Sequence, residues 1–145
     1  MKKHFNTIAL IARQNRPGLA ETLATLVEFL QQQQIKLVVE EQSAKLLKKL
    51  NVATVDYQSL GKNVDLIIVI GGDGSLLHAA KAATYYDTPV LGINRGTLGF
   101  LTDISPEDAT DEVAAVLDGQ YAEEQRFFLR TIIHSDGRTV AQGLA

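Results

Sequence analysis

Apolar residues along this chain come in two rhythms. Short unbroken runs, such as Ile8-Ala-Leu-Ile-Ala12 and Leu66-Ile-Ile-Val-Ile70, alternate with stretches in which they recur every three or four places. The first rhythm marks strands buried on both faces of a parallel sheet, and the second marks amphipathic helices. Strand one spans Thr7 to Ala12. Leu19, Leu23, Leu26, Val27 and Leu30 make one helical stripe between Leu19 and Gln33, and Ile35 to Val39 returns as a second strand. This is a βαβ unit, with the right-handed crossover such units take. A short helix is expected over Ser43 to Leu50 with Lys45, Lys48 and Lys49 toward solvent, then a strand over Val52 to Val55 and a helical turn at Tyr57 to Gly61. Leu66 to Ile70 is the central strand. The helix after it, Ser75 to Tyr86, is expected to pack Leu76, Ala80 and Ala83 inward, and Val90 to Asn94 follows Pro89 as a further strand. Ser105-Pro-Glu-Asp108 reads as a helix start with Ser105 as N-cap, the helix running to about Leu117 and ending at Gly119. Strands alternating with helices predict an α/β fold, a doubly wound, mostly parallel sheet flanked by helices.

Beyond residue 120 the pattern changes. Phe127 to Ser135 reads as extended, Asp136-Gly137 is a hairpin signal, and Thr139 to Ala145 supplies the returning strand. Two strands alone do not bury an apolar face. The expected division is therefore an α/β domain over 1–120 and, over 121–145, the first strands of an incomplete β-rich domain.

Composition narrows the function classes. The 145 residues carry a net charge of −3, a pI near 5.6 and no broad basic face, which argues against nucleic-acid binding by bulk electrostatics. The absence of cysteine removes thiolate nucleophiles, disulfides and cysteine-based metal sites. His4, His78 and His134 are far apart and show no metal-ligand spacing. The apolar run Ile8 to Ala12 ends at Arg13, too short for a signal peptide, and nothing approaches the ~20 apolar residues that cross a bilayer. A cytoplasmic protein without membrane contact is expected.

The chemistry concentrates in Gly71-Gly-Asp-Gly-Ser75, at the carboxyl end of the central strand. In parallel sheets that edge is where ligands bind. Gly71, Gly72 and Gly74 lack a Cβ, so a phosphate or sugar can approach their main chain beside a helix N-terminus. Asp73 is the exception, since a carboxylate repels phosphate unless it serves a metal ion or accepts a proton from a hydroxyl being phosphorylated. The competing reading is an N-cap for the following helix. Arg13 and Arg16, in the loop after strand one, lie on the same edge and are candidates for phosphate contact or for a solvated loop. His78, on the helix after the turn, is a candidate binding residue or a surface histidine. Phe100, in the glycine-spaced loop from Asn94 to Thr102, must either plug the core or stack on a planar ligand. A Walker A pattern is absent, and Gly72-Asp-Gly74 is followed by no third glycine, which disfavours a dehydrogenase-type site.

Gly71-Gly-Asp-Gly-Ser-Leu-Leu77 followed by Val90-Leu-Gly-Ile-Asn-Arg-Gly-Thr-Leu-Gly-Phe-Leu-Thr-Asp103 closely resembles the N-terminal part of bacterial NAD kinases. The glycine tetrad is shared with diacylglycerol, sphingosine and phosphofructokinases, but the second segment resembles NAD kinases alone among these. The resemblance implies phosphorylation of the adenosine-ribose 2′-OH of NAD by ATP with Mg²⁺ or another divalent cation, giving NADP. It implies Asp73 as the catalytic carboxylate, amides of Gly71, Gly72 and Gly74 on phosphate, and His78, Asn94, Phe100 and Leu101 near the dinucleotide. Some members carry arginine at the position of His78. The expected partners are NAD, ATP and further copies of the chain in a dimer or tetramer. Members continue into a β-rich second domain with an Asn-Glu motif that grips the ribose, so the sequence looks like a fragment with little activity alone. The alternatives are a lipid or sugar kinase of related turn chemistry, a non-catalytic nucleotide-binding module, or an interaction piece acting through its tail strands.

Overall fold

In the computed structural model, which describes residues 5–13, 16–48, 51–97 and 99–144, five strands form one sheet in the order β3-β2-β1-β4-β5. They are β1 (Thr7–Ala12), β2 (Lys36–Glu40), β3 (Ala53–Val55), β4 (Leu66–Gly71) and β5 (Val90–Asn94). Every pairing is parallel. β1 and β5 have the bounds the hydrophobic runs predict. β2 ends a residue later than predicted, β4 extends through Gly71, and β3 begins at Ala53. All six residues of β4 are buried, as a strand covered on both faces must be.

Two layers of helix cover the sheet. α1 (Leu19–Gln32) buries Leu19, Leu23, Leu26, Val27 and Leu30, the stripe read from the sequence, and shares its core with α4 (Ala109–Leu117). On the opposite face α3 (Asp73–Ala83) packs Ala79, Ala82 and Ala83 against Ala9, Ile11, Ile67 and Val69. The buried side of α3 is Ser75, Ala79, Ala82 and Ala83, so Ala83 turns inward as expected, while the expected Leu76 and Ala80 each sit one position off it. Small residues dominate this helix, so hydrophobicity alone did not reveal which side faces in, and Leu76 instead packs over Gly92 of β5. The last turn, Thr84–Tyr86, tightens to a 3-10 helix.

Two further helices differ from expectation. The helix foreseen over Ser43 to Leu50 is α2 (Glu41–Ala44), shorter and earlier, because the Glu40 carboxylate accepts from the amides of Gln42 and Ser43 and starts it there. Leu50 and Lys49 lie outside the described residues. At the other end of the sheet, Ser105 Oγ does accept from the Asp108 amide at 3.2 Å, but it closes a turn, and α4 begins at Ala109. Gly119, at φ 82°, ends α4 as expected.

The remaining elements are β6 (Arg130–Ser135) and β7 (Arg138–Leu144), an antiparallel hairpin. Asp136 and Gly137 both take positive φ, 49° and 72°, the backbone that a two-residue turn requires. Ile132, Ile133 and Val140 of this hairpin are exposed.

The strand order reverses between β1 and β4. The carboxyl ends of these strands therefore diverge into loops on opposite sides, leaving the crevice in which doubly wound sheets bind ligands. The loops after β1 and β5 are each tied to β4 beyond their last strand residues, Arg13 N–H donating to Ile70 C=O and Arg95 N–H to Gly71 C=O.

Candidate active site

Gly71 pairs in register with Asn94, so the glycine turn and the loop after β5 leave the sheet side by side. That register decides where Asp73 goes. The N-cap of α3 is Gly72, Asp73 is the first helical residue, and its side chain caps nothing. It crosses instead to the loop after β5. Oδ2 accepts from the Phe100 amide at 2.9 Å, while Oδ1 accepts from the Leu101 amide, the Thr102 amide and the Thr102 hydroxyl at 3.1, 3.2 and 3.1 Å. Gly99 lies so close that a Cβ there would overlap the carboxylate. The N-cap reading of Asp73 is thus replaced by a tertiary one.

This environment sets the charge of Asp73. Desolvation is the largest single influence and pushes its pKa up, but the donors from Leu101, Phe100 and Thr102 together outweigh it and hold the carboxyl below its ordinary range. Asp73 is an anion under all ordinary conditions. Its two oxygens offer about four lone-pair sites. Oδ1 is fully engaged by the loop, whereas Oδ2 has one donor and room for another.

The three glycines of the turn differ. Gly72 and Gly74 have nothing within 4 Å of where a side chain would stand, so their main chain is open to approach. Gly71 is buried, and its missing side chain makes room for that of Ser75. It shapes the turn. Ser75 Oγ is itself buried without a hydrogen-bond partner, the one such side-chain atom among the described residues.

Asn94 is buried, and its Nδ2 donates to Thr97 C=O at 2.7 Å, Thr102 C=O at 3.1 Å and Thr102 Oγ1 at 3.0 Å. The side chain thereby holds the loop of 95–102 from inside. Phe100 is fully exposed, which removes the core-plug reading and leaves an uncovered aromatic ring on the residue whose amide donates to Oδ2 of Asp73. Leu101 is half-buried next to it. His78 stands apart from this group. It stacks on Tyr57 with ring centroids 4.1 Å apart and planes at 22°, and Tyr57 Oη donates to the His78 carbonyl at 2.6 Å. Burial, then Arg13 and Lys81, depress its pKa, so the ring is neutral.

Sequence reasoning did not single out Thr102, which is fully buried and gives Asp73 two of its donors. Nor did it find Arg95 or Tyr57. No local signal marks these residues, because each acts on a partner distant in the chain. Among the described residues no three His, Cys, Asp or Glu side chains converge as a metal site, and no helix is long and apolar enough to cross a membrane.

A parallel doubly wound sheet that presents an acidic, glycine-rich turn at its switch point defines the class of α/β kinases built on such turns. Within that class, the profile of the ATP-NAD kinase N-terminal domain matches residues 8–121. The chain belongs to the NAD kinase family. It is 46% identical over 144 residues to the NAD kinase of Coxiella burnetii (strain Dugway 5J108-111), covering 99% of this chain and 48% of that protein. To the NAD kinase of Marinomonas sp. (strain MWYL1) it is 43% identical over 141 residues, covering 97% and 48%. A crystal structure of yeast NADH kinase complexed with NADH superposes with a TM-score of 0.82 at 18% identity, covering 99% of this chain and 47% of that one, a likeness of fold. The chain spans about half the length of the curated relatives it matches.

Proposed function

We propose that the protein transfers the γ-phosphoryl group of ATP to the adenosine-ribose 2′-hydroxyl of NAD, forming NADP. The observation that carries this reading is the single acceptor site left on Asp73 Oδ2, at the sheet's carboxyl edge, on a carboxylate held by the loop that bears the exposed Phe100. A sugar hydroxyl donating to Oδ2 is oriented by a carboxylate whose other oxygen is locked. The lowered pKa makes Asp73 a poor base in the ground state. Phosphoryl transfer through a loose transition state asks for positioning first and for proton acceptance only late, which suits such a group. The hydroxyl proton passes to Oδ2 as the new O–P bond forms and the bond from the γ-phosphorus to its bridging oxygen breaks, ADP leaving with that oxygen and the bonding pair.

Phe100 stacks on a planar ring of the dinucleotide and Leu101 flanks it, while the open main chain at Gly72 and Gly74 receives phosphate and Gly71 fixes the turn. Asn94 serves by holding the loop that carries Phe100. His78, neutral and stacked on Tyr57, contributes packing at the rim. Magnesium generally keeps several waters and binds through one or two carboxylates plus substrate phosphates. With Oδ1 of Asp73 engaged by the loop and the free site of Oδ2 given to the hydroxyl, the ion would be carried by the substrate phosphates and its waters, and it would shield phosphate charge. Residues 1–120 constitute the nucleotide-binding kinase domain, and 121–145 open a second, β-rich one. The protein works in the cytoplasm as a dimer or tetramer.

The test is NADP formation by the whole protein from NAD and ATP, with diacylglycerol and fructose phosphate offered in parallel. Asp73→Asn is expected to lower kcat by roughly 10²-fold or more, the usual worth of a positioned acid or base, with the fold retained. NADP formation at the parent rate by the Asn variant, or phosphorylation of a lipid or sugar in preference to NAD, overturns the proposal.

A further inference from the structure

Among the described residues, Thr102 is the one side chain that reaches Asp73 with a hydrogen, and it is itself held by the sheet. The other donors on the carboxylate are the amides of Phe100, Leu101 and Thr102, all in the loop that bears the exposed Phe100 ring. The Thr102 hydroxyl lies 3.1 Å from Asp73 Oδ1 and 3.0 Å from Nδ2 of Asn94, the last residue of β5. Two further contacts pin the segment to that strand. Ile104 bridges to Ile93, and its carbonyl accepts from the Asn94 amide at 2.7 Å. The Thr102 methyl fills the space over Gly92 of β5, where a Cβ would overlap it. Threonine suits this place because it has a methyl for the strand and a hydroxyl for the carboxylate.

The hydrogens along this line run one way. A hydroxyl has one hydrogen and two acceptor sites, an amide NH₂ only donates, and an ionised carboxylate only accepts. Asn94 therefore donates to Thr102, and the single hydroxyl hydrogen of Thr102 goes to Asp73 Oδ1. Oδ1 then holds three donors and has nothing left to offer a substrate. Charged groups of the neighbouring loops are engaged elsewhere. Arg95 donates to the Pro17 carbonyl and Arg16 to the Arg95 carbonyl, the charge of Arg13 acts on Glu40, Tyr57 and His78, and Asp103 is exposed.

We propose that Thr102 is a positioning residue for phosphoryl transfer, through whose hydroxyl Asn94 on the sheet fixes the Asp73 carboxylate so that Oδ2 alone meets the acceptor hydroxyl. A ligand pressing on Phe100 moves the loop amides, whereas the line through Thr102 refers Asp73 to β5. The assignment rests on the phosphotransfer reading above, but half of its test needs no turnover.

The test compares Thr102→Val, Thr102→Ser and Thr88→Val in the whole protein. Thr88 is a second buried threonine, whose hydroxyl donates to the Gly61 carbonyl before β5 begins, so its valine variant loses a buried hydrogen bond far from Asp73. Titration of the Phe100 and Leu101 amide shifts by NMR follows the carboxylate to which they donate. Thr102→Val is expected to raise that midpoint by about one pH unit, the worth of one hydrogen bond to a charged group. It is also expected to lower kcat roughly tenfold, part of what a misplaced reacting group can cost, with KM for NAD and ATP within about twofold of the parent. Thr102→Ser, which keeps the hydroxyl and loses the methyl, should hold both midpoint and kcat near the parent. Thr88→Val should lower Tm and leave midpoint and kcat unchanged. An unmoved midpoint in Thr102→Val, a loss in Thr102→Ser as large as in Thr102→Val, a loss that falls on KM instead of kcat, or the same changes in Thr88→Val overturns the role. If the midpoint moves as expected while the parent makes no NADP, the phosphotransfer reading falls and takes this role with it; NADP made at the parent rate by Thr102→Val overturns the role alone.

Discussion

Asn94→Asp changes a single atom of a buried side chain from nitrogen to oxygen and is the sharpest probe of the loop that carries Phe100. In the parent, Nδ2 supplies hydrogen to Thr97 C=O, Thr102 C=O and Thr102 Oγ1. An aspartate at the same place turns two donors into acceptors and aims a carboxylate at three oxygens. The Thr102 carbonyl and hydroxyl are fully buried and keep one partner each, the Gly99 amide and Asp73 Oδ1, but each loses the Nδ2 donor and faces a carboxylate oxygen instead, at about 1–3 kcal/mol apiece. The destabilisation is therefore about 2–6 kcal/mol, which at roughly 3 °C per kcal/mol for a chain of this size lowers Tm by about 6–18 °C. The sign of the pH dependence separates this account from a mere loss of packing. A carboxyl among acceptors has its pKa raised in the folded state. Its protonation then favours the native form, so the gap between variant and parent is widest at pH 7 and narrows toward pH 5. Thermal melts followed by circular dichroism measure the gap, and amide hydrogen exchange at Phe100, Leu101 and Thr102 reports whether their ties to Asp73 open. A variant that melts within about 2 °C of the parent at pH 7 with those amides still protected refutes the role given to Asn94.

Two more outcomes follow from the geometry. The depressed pKa of His78 means that the neutral ring is the form the folded state prefers. Its contribution to stability is complete above the ordinary value near ~6.5 and falls as pH drops through it; NMR titration should place the His78 midpoint below that value, and Tyr57→Ala should raise it by admitting water to the ring. Ile68→Ala, at a fully buried position of β4, should cost about 2–5 kcal/mol in chemical denaturation. A cost under about 1 kcal/mol would mean that this strand is not the centre of the core.

The sheet was legible because its strands are written as solid apolar runs. Ile8 to Ala12 and Leu66 to Ile70 have no polar position that would allow a second reading. α1 was equally plain, since Leu19, Leu23, Leu26, Val27 and Leu30 fall on one side. α3 was not, because Ser75, Ala79, Ala82 and Ala83 bury little surface each, and only contact with the sheet decides which side turns inward. α2 was misplaced because its start depends on a carboxylate at the end of the preceding strand, Glu40, whose role is visible only once β2 is in place. At the site, the glycine turn and Asp73 could be found from spacing, whereas the partners of Asp73 could not. Phe100, Leu101 and Thr102 reach it only because β4 and β5 pair with Gly71 opposite Asn94, a register that no short stretch of sequence contains. The same holds for Arg95, which meets Pro17 and Gly18 from the far side of the sheet.

Arg16 and Arg95, whose guanidinium groups lie over Gly96 and Gly18 of the opposite loop, also bear on how this sequence can drift. A methyl group at residue 18 and a guanidinium at residue 95 claim the same volume, and the pair 96 and 16 compete in the same way. Gly18, at φ 78°, is held to glycine by its backbone as well. A side chain at residue 18 or 96 would push the guanidinium of Arg95 or Arg16 out of its place, whereas either arginine can shorten without touching its glycine, so the constraint within each couple runs one way.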